Sequence, residues 1–375
     1  KRARFFKINH SGRGLSVPFL ADLVSPYPRA SLMKNRTFFW FILPSLITML
    51  LFIALPIVSV AVQSMHIEHE AVMVEVENCG PFGCKKELQI DVEETAKLKE
   101  ERPLGQFNGL GTYTNRNHLA FIEIGLALQS SNGFVDFMSK ALNLPFYRAL
   151  AFTLTYTFIV TPLVIFFGFI IALGVNALPK RIKGPTIFIS LLPMIVTPLI
   201  GSLILFWMID ANGILGSALQ QIFDDPNLSL KASPALTWIM LMVYGVWHSA
   251  PFAFIVFYAG LQTVPDDIME AAMIDGASRW ERTRYVVLPH LMPLTVFILL
   301  IQLMDNFRVF EPIVSFSAQA SATSLSWIIY NDLVGAERQF FGSAGATSVL
   351  TIIGVGILLI PVLIRTWRDF NQKVV

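Results

Sequence analysis

Residues 263–289 read TVPDDIMEAAMIDGASRWERTRYVVLP and separate two strongly apolar segments of the chain. The stretch is too long and too charged for a simple turn, and its residues predict two short helices. Thr263 is the predicted N-cap of the first helix, with Asp266 three residues further on and Pro265 in the first turn, where a missing N–H costs little. Gly276 is predicted to take the left-handed conformation that ends this helix.

The second helix of the stretch has start and stop residues of its own. Ser278 and Glu281 have the spacing of a capping box, and Pro289 is predicted to stop the helix. The stretch therefore predicts a compact helix–glycine–helix lobe that stands outside a membrane.

The order of small and charged residues in this lobe is similar to a known motif. Together with the flanking apolar segments, it resembles the EAA loop of ABC-importer permeases, whose coupling helices dock into a groove on the ATP-hydrolysing subunit. The alternative, an ordinary amphipathic cytoplasmic loop, leaves the joint spacing of the motif unexplained. The resemblance implies that the ATPase-coupling residues are Glu270, Ala271, Ala272, Asp275, Gly276, Ala277, Leu288 and Pro289.

The chemistry of these residues agrees with a docking role. Ala271 and Ala272 are small and let a partner surface approach closely. Glu270 and Asp275 supply charge at the rim of such a contact, and Gly276 sets the angle between the two helices.

The composition indicates that lipid is the solvent of this chain. Of its 375 residues 54% are hydrophobic, 31 are Phe and only 14% are charged, whereas soluble proteins carry about 25% charge. The formal net charge of +2 gives no nucleic-acid footprint. We therefore expect a membrane protein with no nucleic-acid partner.

Six apolar segments predict six membrane-spanning helices. Basic residues follow the second and sixth segments, and others lie in the lobe. The positive-inside rule therefore places both termini and the lobe in the cytoplasm. The predicted membrane is the inner membrane of a bacterium. The predicted fold is an all-α polytopic membrane protein, and the resemblance implies the type I ABC importer permease architecture. The segments are 38–62, 150–175, 187–209, 236–261, one that begins at 291, and 344–364.

The polar stretches divide the chain further. The basic start is predicted to be a cytoplasmic arm, in which 15–24 lies on the membrane surface or belongs to a flexible tail. An acidic region with a net charge of −5 is predicted to be a small periplasmic α+β insert. The predicted parts are the arm 1–37, the first transmembrane helix 38–62, the insert 64–147, and the permease core 148–375 with five transmembrane helices and the coupling loop 263–289.

Within the insert, the alternating stretches 71–77 and 87–92 predict two strands, and 93–102 predicts a charged helix. Cys79 and Cys84 flank the turn between the strands. A disulfide across this hairpin is geometrically plausible and requires an oxidising compartment such as the periplasm.

A metal site is not predicted. Two cysteines without neighbouring histidines make half a metal site at best. Residues 66–70 hold two His and two Glu, and we interpret them as a solvated charged face.

Polar residues at membrane depth are concentrated in the fifth segment, where burial in lipid costs free energy. Asp305, Arg308 and Glu311 repeat every three residues and are predicted to share one helical face. Either they lock this helix to its neighbours as an ion-paired cluster, or the stretch lines a translocation cavity. A sugar needs donors, acceptors and aromatic faces, although Trp247 and Tyr258 are alternatively interfacial anchors. The predicted substrate-pathway residues are Gln302, Asp305, Asn306, Phe307, Arg308, Trp247 and Tyr258, with Phe310 and Glu311 beside them.

No catalytic motif is present in the sequence. A P-loop of the form GxxxxGK[ST] is missing, and the glycine-rich stretch 342–348 lacks the lysine that contacts phosphates. The chain is therefore predicted to be no enzyme and to have no cofactor of its own. The resemblance implies that ATP and Mg bind to separate ATPase subunits.

A finer resemblance concerns Leu192-Pro193 and residues 210–215, which are similar to sugar-importer permeases of the maltose type over about 145–370. It implies a permease subunit of an importer for a sugar or related polyol. The implied partners are an ABC ATPase dimer, a second homologous permease and a periplasmic solute-binding protein.

Two alternatives belong to other classes of protein. An ion- or proton-coupled secondary transporter would use the charges of the fifth segment and predicts an internal inverted repeat. A membrane sensor would use residues 64–147 as a ligand domain and predicts a cytoplasmic signalling domain.

Overall fold

Helices dominate the structure, because in lipid a helix satisfies all of its backbone hydrogen bonds within one segment. The computed structural model describes residues 35–70, 72–80, 83–231, 233–335 and 339–372. Those up to Ile57 and those from Val58 onward belong to two separate units. The predicted arm 1–37, including its apolar stretch, lies outside the described residues except for its last three.

The first span has a change of helix type before a proline. Helix α1 (Asn35–Met49) continues through a π-helical turn (Leu50–Ala54) into α2 (Leu55–Gln63). The Leu55 N–H donates to the Leu50 carbonyl, five residues back, directly before Pro56. A π turn at this place accommodates a residue that has no N–H and whose ring crowds the preceding turn.

Among the described residues between the first two spans, four strands form two antiparallel pairs. Strand β1 (His66–Ile67) pairs with β4 (Gln106–Phe107), and β2 (Met73–Gly80) pairs with β3 (Gly83–Ile90). The β2–β3 pair confirms the predicted hairpin, and both of its strands are longer than the predicted ones. The remaining elements of this region are the predicted charged helix α3 (Val92–Glu101), then α4 (Gly111–Thr114), α5 (Phe121–Ser130) and α6 (Phe134–Leu142).

The hairpin register places Cys79 directly opposite Cys84. The side chains of both cysteines and the loop residues 81–82 lie outside the described part of the chain. The disulfide therefore stays a prediction, with a backbone pairing that is compatible with it.

The core consists of long helices joined by shorter ones. A 3₁₀ turn (Ala318–Ala320) and two further π turns (Thr283–Val287 and Asn331–Gly335) lie between them. The core helices are α7 (Pro145–Asn176), α8 (Lys180–Ile195), α9 (Pro198–Met208), α10 (Ile214–Phe223), α11 (Pro234–Leu261), α12 (Asp266–Ile274), α13 (Arg279–Arg282), α14 (Leu288–His290), α15 (Met292–Phe307), α16 (Glu311–Ser315), α17 (Leu325–Tyr330) and α18 (Phe341–Gln372).

Four single helices among the described residues are long and apolar enough to cross a membrane, and two bent pairs raise the number to six. The pairs are α8 with α9, bent by 93°, and the helix through His290 with α15, bent by 66°. This agrees with the predicted six spans. The third span, predicted over 187–209, is not one continuous helix. Pro198 holds Thr197 in the extended conformation, and the helix breaks there.

The fifth span also ends earlier than the i, i+3, i+6 pattern predicts. Helix α15 ends at Phe307, and α16 begins only at Glu311. In one continuous helix the ring of Pro312 would clash with the carbonyl of Arg308, four residues back. The prediction that Asp305, Arg308 and Glu311 share one helical face is therefore wrong, although the break still brings them to one place.

The core is centred on α7 and α11, which pack closely because glycines lie at their contact. A Cβ at Gly168 would lie 2.9 Å from the backbone nitrogen of Phe254, and a Cβ at Gly245 would collide with the hydroxyl of Tyr156. Phe152 and Phe254 are fully buried in the resulting core. This packing supports the surfaces on which the candidate sites lie.

The region between the first two spans is attached to the start of α18. The Gly342 N–H donates to the Glu68 carboxylate at 2.7 Å. His118 is 1% exposed, and its Nε2 lies 3.1 Å from both the Ser343 carbonyl and the Thr347 hydroxyl. Because a carbonyl only accepts, Nε2 carries the proton.

Acidification is expected to weaken this attachment. Burial lowers the pKa of His118 below its ordinary value of 6.5, against the opposing effects of the Ser343 carbonyl and the Asp332 charge. The unfolded chain therefore binds a proton more readily, and stability falls as the pH drops through about 6.5. We expect the melting temperature of the purified protein to fall by a few degrees between about pH 8 and pH 5.

The variant His118→Gln is the control, because its amide donates to the same carbonyl without titrating. Its pH dependence should be shallower than that of the unaltered protein. Burial raises the pKa of Asp332. The folded chain therefore binds this proton more readily than the unfolded chain, and Asp332 adds stability as the pH falls. This effect is opposite to that of His118 and is present in both the unaltered protein and the variant. Equal slopes for the two proteins would contradict the role of His118.

Candidate functional site

The lobe at 263–289 has the predicted helix–glycine–helix form. Helix α12 is followed by Gly276 at φ +79°, in the left-handed region, and then by α13. The predicted capping box is confirmed, since the Glu281 N–H donates to Ser278 Oγ at 3.3 Å and the Ser278 N–H donates to Glu281 Oε2 at 2.7 Å. These bonds to Ser278 lower the pKa of Glu281, which keeps the cap charged.

The two ends of the lobe differ from the prediction. Pro265 occupies the N-cap, while Thr263 donates its hydroxyl back to the Gly260 carbonyl at 2.8 Å. At the other end, Pro289 does not stop the helix, because the π turn before it makes room for the ring and the helix runs to His290. The break follows at Leu291.

The lobe presents a mixed apolar and charged surface. The side chains of Ile274, Trp280 and Tyr285 are 87%, 71% and 68% exposed. Large apolar side chains exposed on a charged segment are typical of a contact surface. Of the predicted coupling residues, Ala272 and Ala277 are half-buried and the other six are exposed: Glu270, Ala271, Asp275, Gly276, Leu288 and Pro289.

The lobe is tied to the ends of core helices. Gln262 Nε2 donates to Asn176 Oδ1 at the end of α7, at 3.1 Å, and Thr263 Oγ1 lies 3.1 Å from His290 Nε2. Met269 packs against the buried core cluster. A displacement of the lobe would therefore be passed to α7 and to the start of α15.

A polar cavity of about 460 Å³ lies within the core where two helices are broken. The α8–α9 break contributes Pro198, and the α15–α16 break contributes the charged residues of the predicted pathway. The lining residues are Tyr156, Pro198, Tyr244, Gly245, His248, Ser249, Asp305, Asn306, Arg308, Val309, Glu311 and Pro312.

The charges of the cavity are partly compensated. Arg308 Nη2 donates to Asp305 Oδ1 at 3.0 Å, and both side chains are more than half exposed. The Glu311 carboxylate has no hydrogen-bond partner within the described residues. The cavity wall therefore carries an ion pair and one further negative charge.

Asn306 is held in a fixed orientation. Its Nδ2 donates to Thr161 Oγ1 at 3.0 Å and to Gln302 Oε1 at 3.4 Å. Asn306 and Gln302 are only 5% and 4% exposed. With both amide hydrogens engaged, Oδ1 remains as an acceptor for a bound molecule.

Rings form the facing wall of the cavity. Tyr244 and His248 stack with centroids 5.8 Å apart and an interplanar angle of 9°. The Tyr244 hydroxyl donates to the Pro198 carbonyl at 2.8 Å, and His248 Nδ1 donates to the Pro193 carbonyl at 3.0 Å. In neutral His248 the Nε2 atom is then an acceptor. The cavity thus combines aromatic faces with donors and acceptors.

The structure brings together part of the predicted pathway set. Asp305, Asn306 and Arg308 line the cavity, together with Glu311. The other predicted residues lie away from its surface. Gln302 lies buried behind Asn306, Phe307 packs against Gly354, Tyr258 packs against Phe254, and Trp247 lines a separate apolar groove of about 730 Å³.

Sequence reasoning missed the residues of the facing wall. Tyr156, Tyr244 and His248 come from the interiors of α7 and α11, and their only sequence-level mark is a polar atom in an apolar helix. No group of three or more His, Cys, Asp or Glu side chains in the described part of the chain is placed to hold a metal ion.

Comparison with known proteins shows the family. Residues 137–369 match the family described as binding-protein-dependent transport system inner membrane component. The trehalose/maltose transport system permease protein MalF of Thermococcus litoralis is 28% identical over 54% of this chain and 68% of its own length. The multiple sugar-binding transport system permease protein MsmF of Streptococcus mutans is 30% identical over 56% of this chain and 73% of its own length.

Solved structures agree in fold. A bacterial ABC transporter involved in the import of the acidic polysaccharide alginate contains a chain with a TM-score of 0.61 at 18% identity, covering 89% of this chain and 96% of that one. The family match spans more than half of the sequence and includes the lobe and the cavity. The chain therefore belongs to the binding-protein-dependent transport system inner membrane components, the multi-pass permease subunits of ABC importers.

Proposed function

We propose that this chain forms part of the translocation pathway of an ATP-driven importer for a sugar or related polyol. The observation that carries the proposal is the cavity at the two helix breaks, where Asn306, His248 and the charged residues offer donors and acceptors beside stacked rings. Ligand sites are typically concave, with a few placed polar groups. Relatives named for trehalose, maltose and multiple sugars support this substrate class.

The partners in this proposal follow from the family and from the lobe. A periplasmic solute-binding protein delivers the sugar, and a second, homologous permease completes the pathway. An ABC ATPase dimer docks on the coupling residues of 263–289 and binds ATP and Mg. The membrane-spanning chain itself carries out no hydrolysis.

Transport then proceeds by a population shift between two packings of the same helices. Closure of the ATPase dimer pushes the lobe, and the bonds from Gln262 and Thr263 pass the displacement to α7 and α15. The cavity between these helices opens alternately to the two sides. The helices are interrupted at Thr197 and at 308–310, and in this proposal the wall bends at these two breaks.

The proposed orientation places both termini and the lobe in the cytoplasm, with the insert 64–147 in the periplasm. The lobe holds Arg279, Arg282 and Arg284, and the last turns of α18 hold Arg365 and Arg368; the positive-inside rule assigns such residues to the cytoplasm. An ion-coupled secondary transporter no longer competes, because the family is that of ABC importer subunits.

Removing the Asn306 side chain tests the substrate pathway. The variant Asn306→Ala loses the free acceptor in the cavity and leaves Thr161 and Gln302 without their partner. A lost hydrogen bond to the sugar is worth about 0.5–1.5 kcal/mol, so we expect uptake of labelled maltose or trehalose to fall by up to roughly tenfold. Uptake is measured in cells that express the chain with its partner subunits.

The matched control is Asn212→Ala, which removes an exposed amide outside the cavity and should leave uptake unchanged. The amount of each variant in the membrane is measured by immunoblot, so that lost protein is not mistaken for lost transport. Normal uptake by Asn306→Ala would contradict the proposed pathway.

A further inference from the structure

A second polar cavity, of about 330 Å³, lies at the end of the bundle opposite the lobe. It shares no residue with the first cavity. Arg148 on α7 lines it, eight residues before Tyr156, which is about 12 Å along the helix axis. Its polar and aromatic lining includes Asn117, Asn143, Arg148, Trp327, Asn331 and Asp332.

Three amide side chains at this cavity are available to a ligand. Within the described residues, the side chains of Asn117, Asn143 and Asn331 make no hydrogen bond to the protein. Asn117 and Asn143 are exposed, and Asn331 is half-buried. Each amide offers two donors and an acceptor.

The two charged groups of the cavity are already oriented by the protein. Arg148 Nη2 donates to the Ala320 carbonyl at 2.6 Å, and Asp332 Oδ2 accepts from the Ser343 hydroxyl at 2.6 Å. The remaining guanidinium hydrogens and Asp332 Oδ1 have no partner among the described residues. One positive and one negative group give no net attraction for a charged ligand, so the cavity suits a neutral one.

An aromatic face completes the lining. Trp327 is half-buried in α17, and its backbone N–H donates to Ser324 Oγ at 3.1 Å. Ser324 is fully buried and donates to the Val309 carbonyl, between α15 and α16. The backbone that carries the indole is therefore held in place beside the cavity.

We propose that this second cavity is an outer binding site for one unit of a neutral polyhydroxylated molecule, a sugar residue. Arg148 and the amides donate to hydroxyl oxygens, and the Asp332 carboxylate accepts from a hydroxyl. The Trp327 ring offers an apolar face to the C–H face of the sugar. A volume of about 330 Å³ is at the small end of ligand sites, which span roughly 300–1,000 Å³. The inference rests on the proposed function, because it assigns the same class of molecule to a second place.

Protection of single cysteines from alkylation tests this site. The purified importer assembly carries Asn143→Cys in a Cys79→Ser/Cys84→Ser background, and the rate of maleimide labelling is measured with and without maltose or trehalose. No ATP is added, so that ATP-driven movement does not change the rate. We expect the sugar to slow labelling severalfold.

Two matched positions give the control and separate this inference from the proposed function. Asn132→Cys is exposed on the same region of the chain but outside the cavity, and its labelling should not change. Ser249→Cys reports on the first cavity. Protection at Ser249→Cys without protection at Asn143→Cys would overturn the outer site and leave the proposed function intact. Protection at neither position, by sugars that the assembly imports, would overturn the outer site as well.

A second variant separates direct contact from shielding at a distance. In this variant Asn331→Ala is combined with Asn143→Cys, which removes one amide from the cavity. The sugar concentration that gives half protection of Asn143→Cys should rise roughly three- to tenfold, because one hydrogen bond to the sugar is lost. An unchanged half-protection concentration would mean that the sugar does not bind in this cavity.

Discussion

Replacing Gly276 with proline is expected to reduce import roughly a hundredfold, because misplacing a working contact by about 1 Å is enough for such a loss. Gly276 has φ +79°, whereas proline is locked near −65°. Proline also removes the N–H that Gly276 donates to the Met273 carbonyl at 3.1 Å. The angle between α12 and α13 would change, and the exposed coupling surface with it.

The effect should come from the backbone alone. A Cβ at Gly276 meets no atom within 4 Å, so no side chain is displaced. The matched variant Gly276→Asn should keep most of the import, because asparagine tolerates the left-handed conformation far better than other residues. The comparison of these two variants isolates the conformation of one residue.

Three measurements check this prediction. Uptake of labelled sugar reports on transport, and mass spectrometry of the assembly purified in mild detergent reports whether an ATPase with a Walker motif remains bound. The proline variant should still insert into the membrane, which a membrane fractionation establishes. Full transport by Gly276→Pro would contradict the docking role of the lobe.

Adding one methyl group at Gly245 is expected to produce the second large effect. Gly245 on α11 faces Tyr156 on α7, and a Cβ there would collide with the phenol hydroxyl and lie 2.9 Å from Cζ. Overpacking of a core costs about 1–3 kcal/mol. We expect Gly245→Ala to lower the melting temperature of the purified protein by several degrees and to reduce sugar uptake at least about tenfold.

A second substitution should partly relieve this clash. Tyr156→Phe removes the hydroxyl that the new methyl group meets first, so the double variant should melt at a higher temperature than Gly245→Ala alone. Gly174→Ala on α7 is the control, because a Cβ there meets no atom within 4 Å. If the double variant is no more stable than Gly245→Ala, the Gly245–Tyr156 contact is not the source of the effect.

Local features of the lobe could be predicted from the sequence because they depend on residues close along the chain. The left-handed Gly276 and the capping box of Ser278 with Glu281 are examples, and both are confirmed. The end at Pro289 was mispredicted by one residue, because the π turn before it depends on how the following span bends.

The polar cavity could be predicted only in part. Asp305, Asn306 and Arg308 stood out as polar residues in an apolar segment, and the structure places them at the cavity. Trp247, the predicted aromatic residue, lines an apolar groove, whereas Tyr244, three residues earlier, lines the cavity. Hydropathy does not distinguish the faces of a helix that is apolar all round.

By itself, the sequence determined the membrane class, the number of spans, the lobe and its turn, because hydropathy, charge and capping are local properties that lipid and backbone geometry convert directly into structure. The prolines at the breaks of the third and fifth spans are visible in the sequence, but tertiary structure decided which prolines break a helix and which side chains meet at those breaks. Tyr156, His248 and Asn306 come from three distant segments. Their meeting depends on the close contact of α7 with α11 at Gly168 and Gly245, and such long-range packing leaves no periodic mark in the chain.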